Sequence, residues 1–169
     1  WFAAAATIFF TRAILFSTWQ SRAPEVQSLL HLNTAEMGLI SMLYPAGGLV
    51  GLLFANSINN RFGSTRVTIV GFSLATASLA SLAVTVPAGL AAVSAVLLFV
   101  IGVPMGVADF VGNYEGTGVD GMSKRSLLPG IHAVFGIGMM AAAGFASLLL
   151  GQGVSLSTNY LIIAVLVAV

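Results

Sequence analysis

Cysteine is absent from the 169-residue chain, which excludes disulfides, thiolate metal sites and a cysteine nucleophile. Charge is scarce: Asp, Glu, Lys and Arg make up 7% of residues, against about 25% in a soluble domain. No basic run exists to follow a phosphate backbone, and a formal net charge of +1 supplies no field to recruit nucleic acid. The two histidines, His31 and His132, stand far apart. There is no His-Glu-x-x-His zinc motif and no Gly-x-x-x-x-Gly-Lys phosphate loop, so neither a metal nor a cofactor is expected, and an enzyme is not. An intramembrane aspartyl protease needs two membrane aspartates, whereas Asp120 falls in a polar stretch. What the chain does have is hydrophobic bulk, 58% of its residues. That composition is the composition of a membrane protein.

Apolar segments and the turns between them divide the chain into six spans. The first is expected to run from before Trp1, with no basic start and hence no signal-peptide pattern, to about Ser21. It carries Arg12 inside, and Trp19 and Arg22 at its far end, an aromatic and a base that suit a membrane interface. Pro24 is expected to stop this helix, and residues 24–35 to form a polar loop holding Glu25 and a solvated His31. Asn33-Thr34-Ala35-Glu36 has the pattern of a helix cap and opens a second span, Glu36 to Ile58. There Ser41, Tyr44, Pro45, Gly47, Gly48 and Gly51 offer a small-residue face for close packing. The third span, Val67 to Val86, has no charge and is expected to be peripheral and to face lipid. The fourth covers 88–113, and a polar loop at 116–130 contains Asp120, Lys124 and Arg125. His132 opens the fifth, which ends near Leu150. A sixth starts near Asn159 and is still apolar at Val169, roughly 11 residues where a bilayer crossing needs about 20. The sequence therefore reads as half of a protein of about twelve spans.

Arg61, Arg66, Lys124 and Arg125 fall in the second-to-third and fourth-to-fifth connections, and the opposite loops offer essentially Arg22 alone. Those two connections are expected on the cytoplasmic side. Residues 1–86 and 87–169 then run in opposite directions. The expected fold is an all-α polytopic membrane protein with six transmembrane helices built as two inverted three-helix repeats, an organisation known among secondary transporters.

The fourth span holds the most informative run. At helical spacing Gly102, Met105, Gly106, Asp109, Gly112, Asn113 and Gly116 share one stripe. A carboxylate inside a span costs about 2.5–3.5 kcal/mol on insertion scales, so such groups face a bundle interior or a watery cavity and mark a pathway. Arg12 and Asp109 both lie about 12 Å above the cytoplasmic end, taking 1.5 Å per residue and a ~30 Å core. Contact between them is possible. The pair reads either as a switch or as a permanent salt bridge that permits insertion. Glu115 is expected to pair with Arg61 or Lys124, and Phe135, Met139 and Met140 to serve packing rather than ligand contact.

Asn60-Arg61-Phe62-Gly63-Ser64-Thr65-Arg66 resembles the Asp-Arg-x-Gly-Arg-Arg signature in the first cytoplasmic loop of the major facilitator superfamily. Asn60 replaces the acid, and Ser64 and Thr65 stand where bases are usual. Three further stretches are similar to the fucose-permease-like branch and its uncharacterised bacterial inner-membrane relatives. Trp19–Pro24 matches the end of their first helix, Gly106–Asn113 their acid-x-x-x-Asn motif, and His132 with Phe135–Gly138 the start of their fifth helix. The resemblance implies alternating access around a cavity lined by helices one, two, four and five and by their counterparts in a second half. It also implies a multi-pass place in the inner membrane. Proton coupling would fall to Asp109, with Arg12 as its partner. The cavity wall would include Trp19, Gln20, Tyr44, Asn113 and His132, and the loop motif Asn60, Arg61, Gly63 and Arg66. Trp19 and Tyr44 also read as an interfacial anchor and a core residue. Gln20 stands where fucose permease has its first-helix acid, and no proline between Gly136 and Gly151 supplies the Gly-Pro signature of drug antiporters. The expected function is a secondary transporter for a sugar-like or other polar solute, possible as a proton symporter, with the lipid bilayer and a missing six-helix half as partners. A drug or metabolite efflux antiporter, and a channel or non-transporting scaffold with polar faces lining a pore, are the alternatives.

Overall fold

A computed structural model describes residues 2–123 and 128–168. Helix α1 (Phe2–Ser21) has 20 residues, which at 1.5 Å per residue gives about 30 Å, the thickness of a hydrocarbon core. Helix α2 (Ala23–Leu29) follows at once. The stretch expected to be a loop from 24 is therefore partly helical. Pro24 sits in the first turn of α2, where its missing N–H has no intrahelical acceptor to lose, so it starts a helix as well as following one. His31 turns the chain in the left-handed region, at φ 53. Helix α3 (Thr34–Phe62) opens on a capping box: Glu36 N donates to Asn33 Oδ1 at 3.0 Å, and Asn33 N to Glu36 Oε2 at 2.8 Å. Two of the N–H groups left without partners at a helix start are thereby satisfied.

Gly63, at φ 78, makes the turn into α4 (Ser64–Thr85). Helix α5 (Ala91–Ser123) is 33 residues long and continues through a stretch whose polarity reads as a loop. Polar residues are no obstacle to a helix that projects beyond the hydrocarbon, and no proline interrupts it there. Lys124 and Arg125 lie outside the described residues. Helices α6 (Leu128–Gly151) and α7 (Leu156–Ala168) complete the order. Among the described residues five helices are long and apolar enough to cross a membrane, and α7 is a shorter apolar helix. The chain is an all-α polytopic membrane protein.

Helix α3 packs on α5 through glycine. A Cβ at Gly47 or Gly51 would run into the Phe99 or Val103 carbonyl, and one at Gly102 or Gly106 into the Tyr44 or Gly48 carbonyl. Backbones this close require the smallest residue on both sides. The stripe on α5 does not serve one neighbour, however: Gly112 faces Phe9 of α1, and Gly116 faces Leu128 and Ile131 of α6. Helix α1 lies along α6, and α4 packs on both α5 and α7. The largest core cluster joins Leu15 and Trp19 of α1, Val26 of α2, Leu79 and Leu82 of α4, Leu98 and Ile101 of α5, and Leu156 and Tyr160 of α7. It fills the end of the bundle nearest α2. Smaller clusters, Ala5–Phe9–Ile131 and Ala55–Val107–Val111, hold the other end. Helix α4 is less peripheral than its lack of charge suggests, because Ala75, Leu79 and Leu82 are buried while Ile69, Val70 and Val84 stay exposed. Leu79 and Leu82, with the small Ala75, Ser78 and Ala83 beside them, form the side that docks.

Candidate functional site: a charge pair between two helices

Arg12 of α1 and Asp109 of α5 meet, Arg12 Nη1 donating to Asp109 Oδ1. The guanidinium also lies 5.4 Å from the ring centroid of Phe9, one turn earlier on α1, and 5.1 Å from that of Phe135 on α6. Each such contact contributes about 0.5–2 kcal/mol, the upper value where water is excluded. Phe9 reaches the site because residue 112 is glycine: a Cβ there would lie 2.6 Å from the Phe9 ring. The two members differ in exposure, 18% for the Arg12 side chain and 38% for that of Asp109. The base is held on three sides and the acid is open.

The surrounding rings extend the site. His132 stands edge-on to Phe9 at 4.9 Å, and Phe135 does so at 6.4 Å. Tyr44 of α3, half-buried, tilts against Phe16 of α1 at 5.1 Å and is within electrostatic reach of both Arg12 and Asp109. Asn113 donates Nδ2 to the Asp109 carbonyl at 2.8 Å, a bond back along its own helix. A partly exposed carboxylate beside a caged guanidinium can accept hydrogen bonds from a polar solute. Among the described residues no group of three or more His, Asp or Glu side chains could hold a metal ion.

No family model and no solved structure matches the chain. Curated proteins do match it. It is 25% identical over 161 residues to an uncharacterised MFS-type transporter of Yersinia pestis, covering 95% of this chain and 41% of that protein. It is 29% identical over 140 residues to an uncharacterised transporter of Sinorhizobium fredii, covering 80% of this chain and 36% of that one. This chain is a homologue of MFS-type transporters. A membrane protein of Rhizobium meliloti, MosC, is 24% identical over 161 residues, 92% of this chain and 39% of that protein. The chain thus spans about 40% of the length of the relatives it matches.

In this MFS homologue the other sequence candidates scatter. Gln20 is exposed on α1, eight residues past Arg12 and so about 12 Å along the helix. Trp19 is 1% exposed inside the main core. It is no interfacial anchor, since α2 and α7 cover the end of α1 that the sequence left bare. Arg22 is likewise buried, between Glu25 at 2.8 Å, the Val154 carbonyl at 2.6 Å and Asn159 Oδ1 at 3.3 Å. In the loop motif Asn60 donates to Asn56 Oδ1 at 3.3 Å, the Arg61 guanidinium sits 5.3 Å from the Phe62 ring, and Arg66 is exposed. Glu115 accepts from Ser64 Oγ at 2.8 Å instead of pairing with Arg61. The expected alternative partner, Lys124, lies outside the described residues. Sequence reasoning missed the two rings that cage Arg12. Phe9 stands one turn before Arg12, and Phe135 one turn after His132, spacings that place each pair on one helical face.

Proposed function

We propose that this chain forms one six-helix half of a secondary active transporter that carries a small polar organic solute, sugar-like in size and polarity, across the inner membrane by alternating access. The observation that carries the reading is the unequal exposure of the Arg12–Asp109 pair. Arg12 is fixed by Phe9 and Phe135, so the partner that changes state is Asp109. A proton or a solute hydroxyl that engages the carboxylate weakens the bond between α1 and α5. Inward- and outward-facing states that differ in this bond are then repopulated by the difference in interaction energy. Typical couplings of about 1–3 kcal/mol shift such equilibria 5- to 150-fold.

Three further observations support the architecture. Under an inverted repeat of 1–86 and 87–169, α1 corresponds to α5, α3 to α6 and α4 to α7. The α3·α5 contact then maps onto α6·α1, while α1·α5 and α4·α7 map onto themselves, and all four pairs are packed. Arg61 and Arg66 at the α3–α4 turn favour a cytoplasmic place for that end, and the greater length of the relatives supports a second half completing the cavity. Membrane vesicles holding the full-length protein test the reading through uptake of labelled candidate solutes, sugars first. Accumulation against a gradient is expected, and Asp109→Asn and Arg12→Gln should insert normally, lose accumulation and retain exchange. Strictly downhill flux in the parent protein would point to a channel, and full accumulation by Asp109→Asn would remove the coupling role.

A further inference from the structure

Helices α3, α4 and α5 enclose an apolar trough that shares no residue with the charge pair. Its walls are Ile58 and Phe62 of α3, Val67, Val70 and Leu74 of α4, and Val103 and Val107 of α5, around about 430 Å³. The floor is the close approach of Gly71 to Pro104, where a Cβ on the glycine would lie 3.2 Å from the proline ring. Val70 and Leu74 are 66% and 47% exposed, so the trough opens outward to lipid. One end is basic. Arg66 lines it, and Arg61, stacked over the lining ring of Phe62, stands beside it. Among the described residues neither guanidinium meets a carboxylate, and Glu115, an acid of this end, accepts from Ser64 instead.

We propose that this trough is a binding site for an anionic phospholipid, with an acyl chain between α3, α4 and α5 and the phosphodiester on Arg61 and Arg66. From Arg66 to Leu74 is about 12 Å along α4, a length that takes the upper part of an acyl chain. The apolar walls offer a free phosphate nothing, whereas planar guanidinium groups match the oxygens of a phosphodiester. A zwitterionic headgroup fits less well. Its ammonium would arrive beside two guanidiniums. Each basic residue at a membrane surface favours an anionic lipid by about fivefold.

Native mass spectrometry of the full-length protein in mild detergent tests this, with dioleoyl phosphatidylglycerol, dioleoyl phosphatidylethanolamine and chain-free glycerol phosphate as probes. The parent protein should retain phosphatidylglycerol over phosphatidylethanolamine by at least about fivefold, and glycerol phosphate should not compete. The double change Arg61→Gln with Arg66→Gln should abolish the preference. Val70→Trp, which fills the trough from its lipid side, should lower retention of both lipids. Equal retention of the two lipids by the parent protein, a comparison that needs no variant, would overturn the proposal. So would displacement by glycerol phosphate, an undiminished preference in the double variant, or undiminished retention by Val70→Trp.

Discussion

Arg12 in α1 and Arg22 in the turn that follows it stand ten residues apart, and the structure treats them in opposite ways. Around Arg22 each guanidinium nitrogen has an oxygen within 3.3 Å, from Glu25, Asn159 and the Val154 carbonyl, and the side chain is wholly buried. Gly153, at φ 73, turns the α6–α7 connection so that this carbonyl can serve. Around Arg12 a single carboxylate supplies the hydrogen-bonded partner, two aromatic rings fill the flanks, and the acid is 38% exposed. A buried charge held by an acid, an amide and a carbonyl from three separate places does not release them all at once, and it locks α1 and α2 to α7. A charge with one replaceable partner can trade it for another at small cost. The first is a clamp, the second a switch.

Removing the clamp should have the largest effect on stability. Arg22→Gln leaves Glu25 without its cation and the Val154 carbonyl without its donor. Deleting one member of a buried pair costs about 3–5 kcal/mol. Thermal unfolding of the full-length protein in detergent, compared at one scan rate, should show the lowest midpoint of the series for this variant. A midpoint close to the parent's would mean that the two arginines are equivalent.

Asp109→Asn should cost less, about 1–2 kcal/mol, because the pair is partly solvated and lies between the limits for exposed and buried salt bridges. Its signature is functional, with accumulation lost and exchange kept, while Arg22→Gln protein that survives should transport in proportion to the amount folded. The contrast collapses if both variants lose activity and stability in parallel.

How far this contrast could be read from the sequence depends on what each residue's meaning rests upon. Composition and the spacing of apolar runs depend on local chemistry alone, and they located the membrane helices and the cap at Asn33. Arg12 and Asp109 stood out because a charge in an apolar run is costly wherever it lies; only the packing of α1 against α5 made them partners. Arg22 and Trp19 went the other way. Next to Pro24 they looked like a helix end in the interface, and their burial follows from α2 and α7 closing over that end, a tertiary event with no local trace except Asn159, a lone amide opening an apolar stretch. The helical course of α5 past Gly116 was hidden because polarity marks exposure to water, and a helix projecting from the membrane is exposed too. Phe135 was read as packing; it does pack, but against a guanidinium.

A smaller effect sharpens the switch side of the comparison. Phe135→Leu keeps apolar volume on α6 and removes one face of the Arg12 cage. The loss should be about 1 kcal/mol, the size of one partly exposed cation–π contact. Transport should respond more than stability, because a guanidinium free to move follows the carboxylate instead of releasing it. The measurement is the ratio of accumulation to exchange, and an unaltered ratio would mean that the rings only fill space.

The smallest effect belongs to the clamp side. Tyr160 of α7 is 0% exposed and packed in the main core, and its hydroxyl has no hydrogen-bond partner among the described residues. A buried hydroxyl left unpaired costs about 1–3 kcal/mol relative to one that is matched, and deleting it while keeping the ring removes that cost without opening a cavity. Tyr160→Phe should therefore leave the unfolding midpoint unchanged or raise it slightly, unlike any change at Arg22. Asn159, whose Nδ2 is also buried without a partner among the described residues, gives the control. Asn159→Leu removes the same kind of unmatched donor but also the Oδ1 that accepts from Arg22 Nε, so it should destabilise. If Tyr160→Phe instead lowered stability by more than about 1 kcal/mol, the hydroxyl would have to be bonded through a buried water. The clamp would then extend into α7 beyond the three oxygens that surround Arg22.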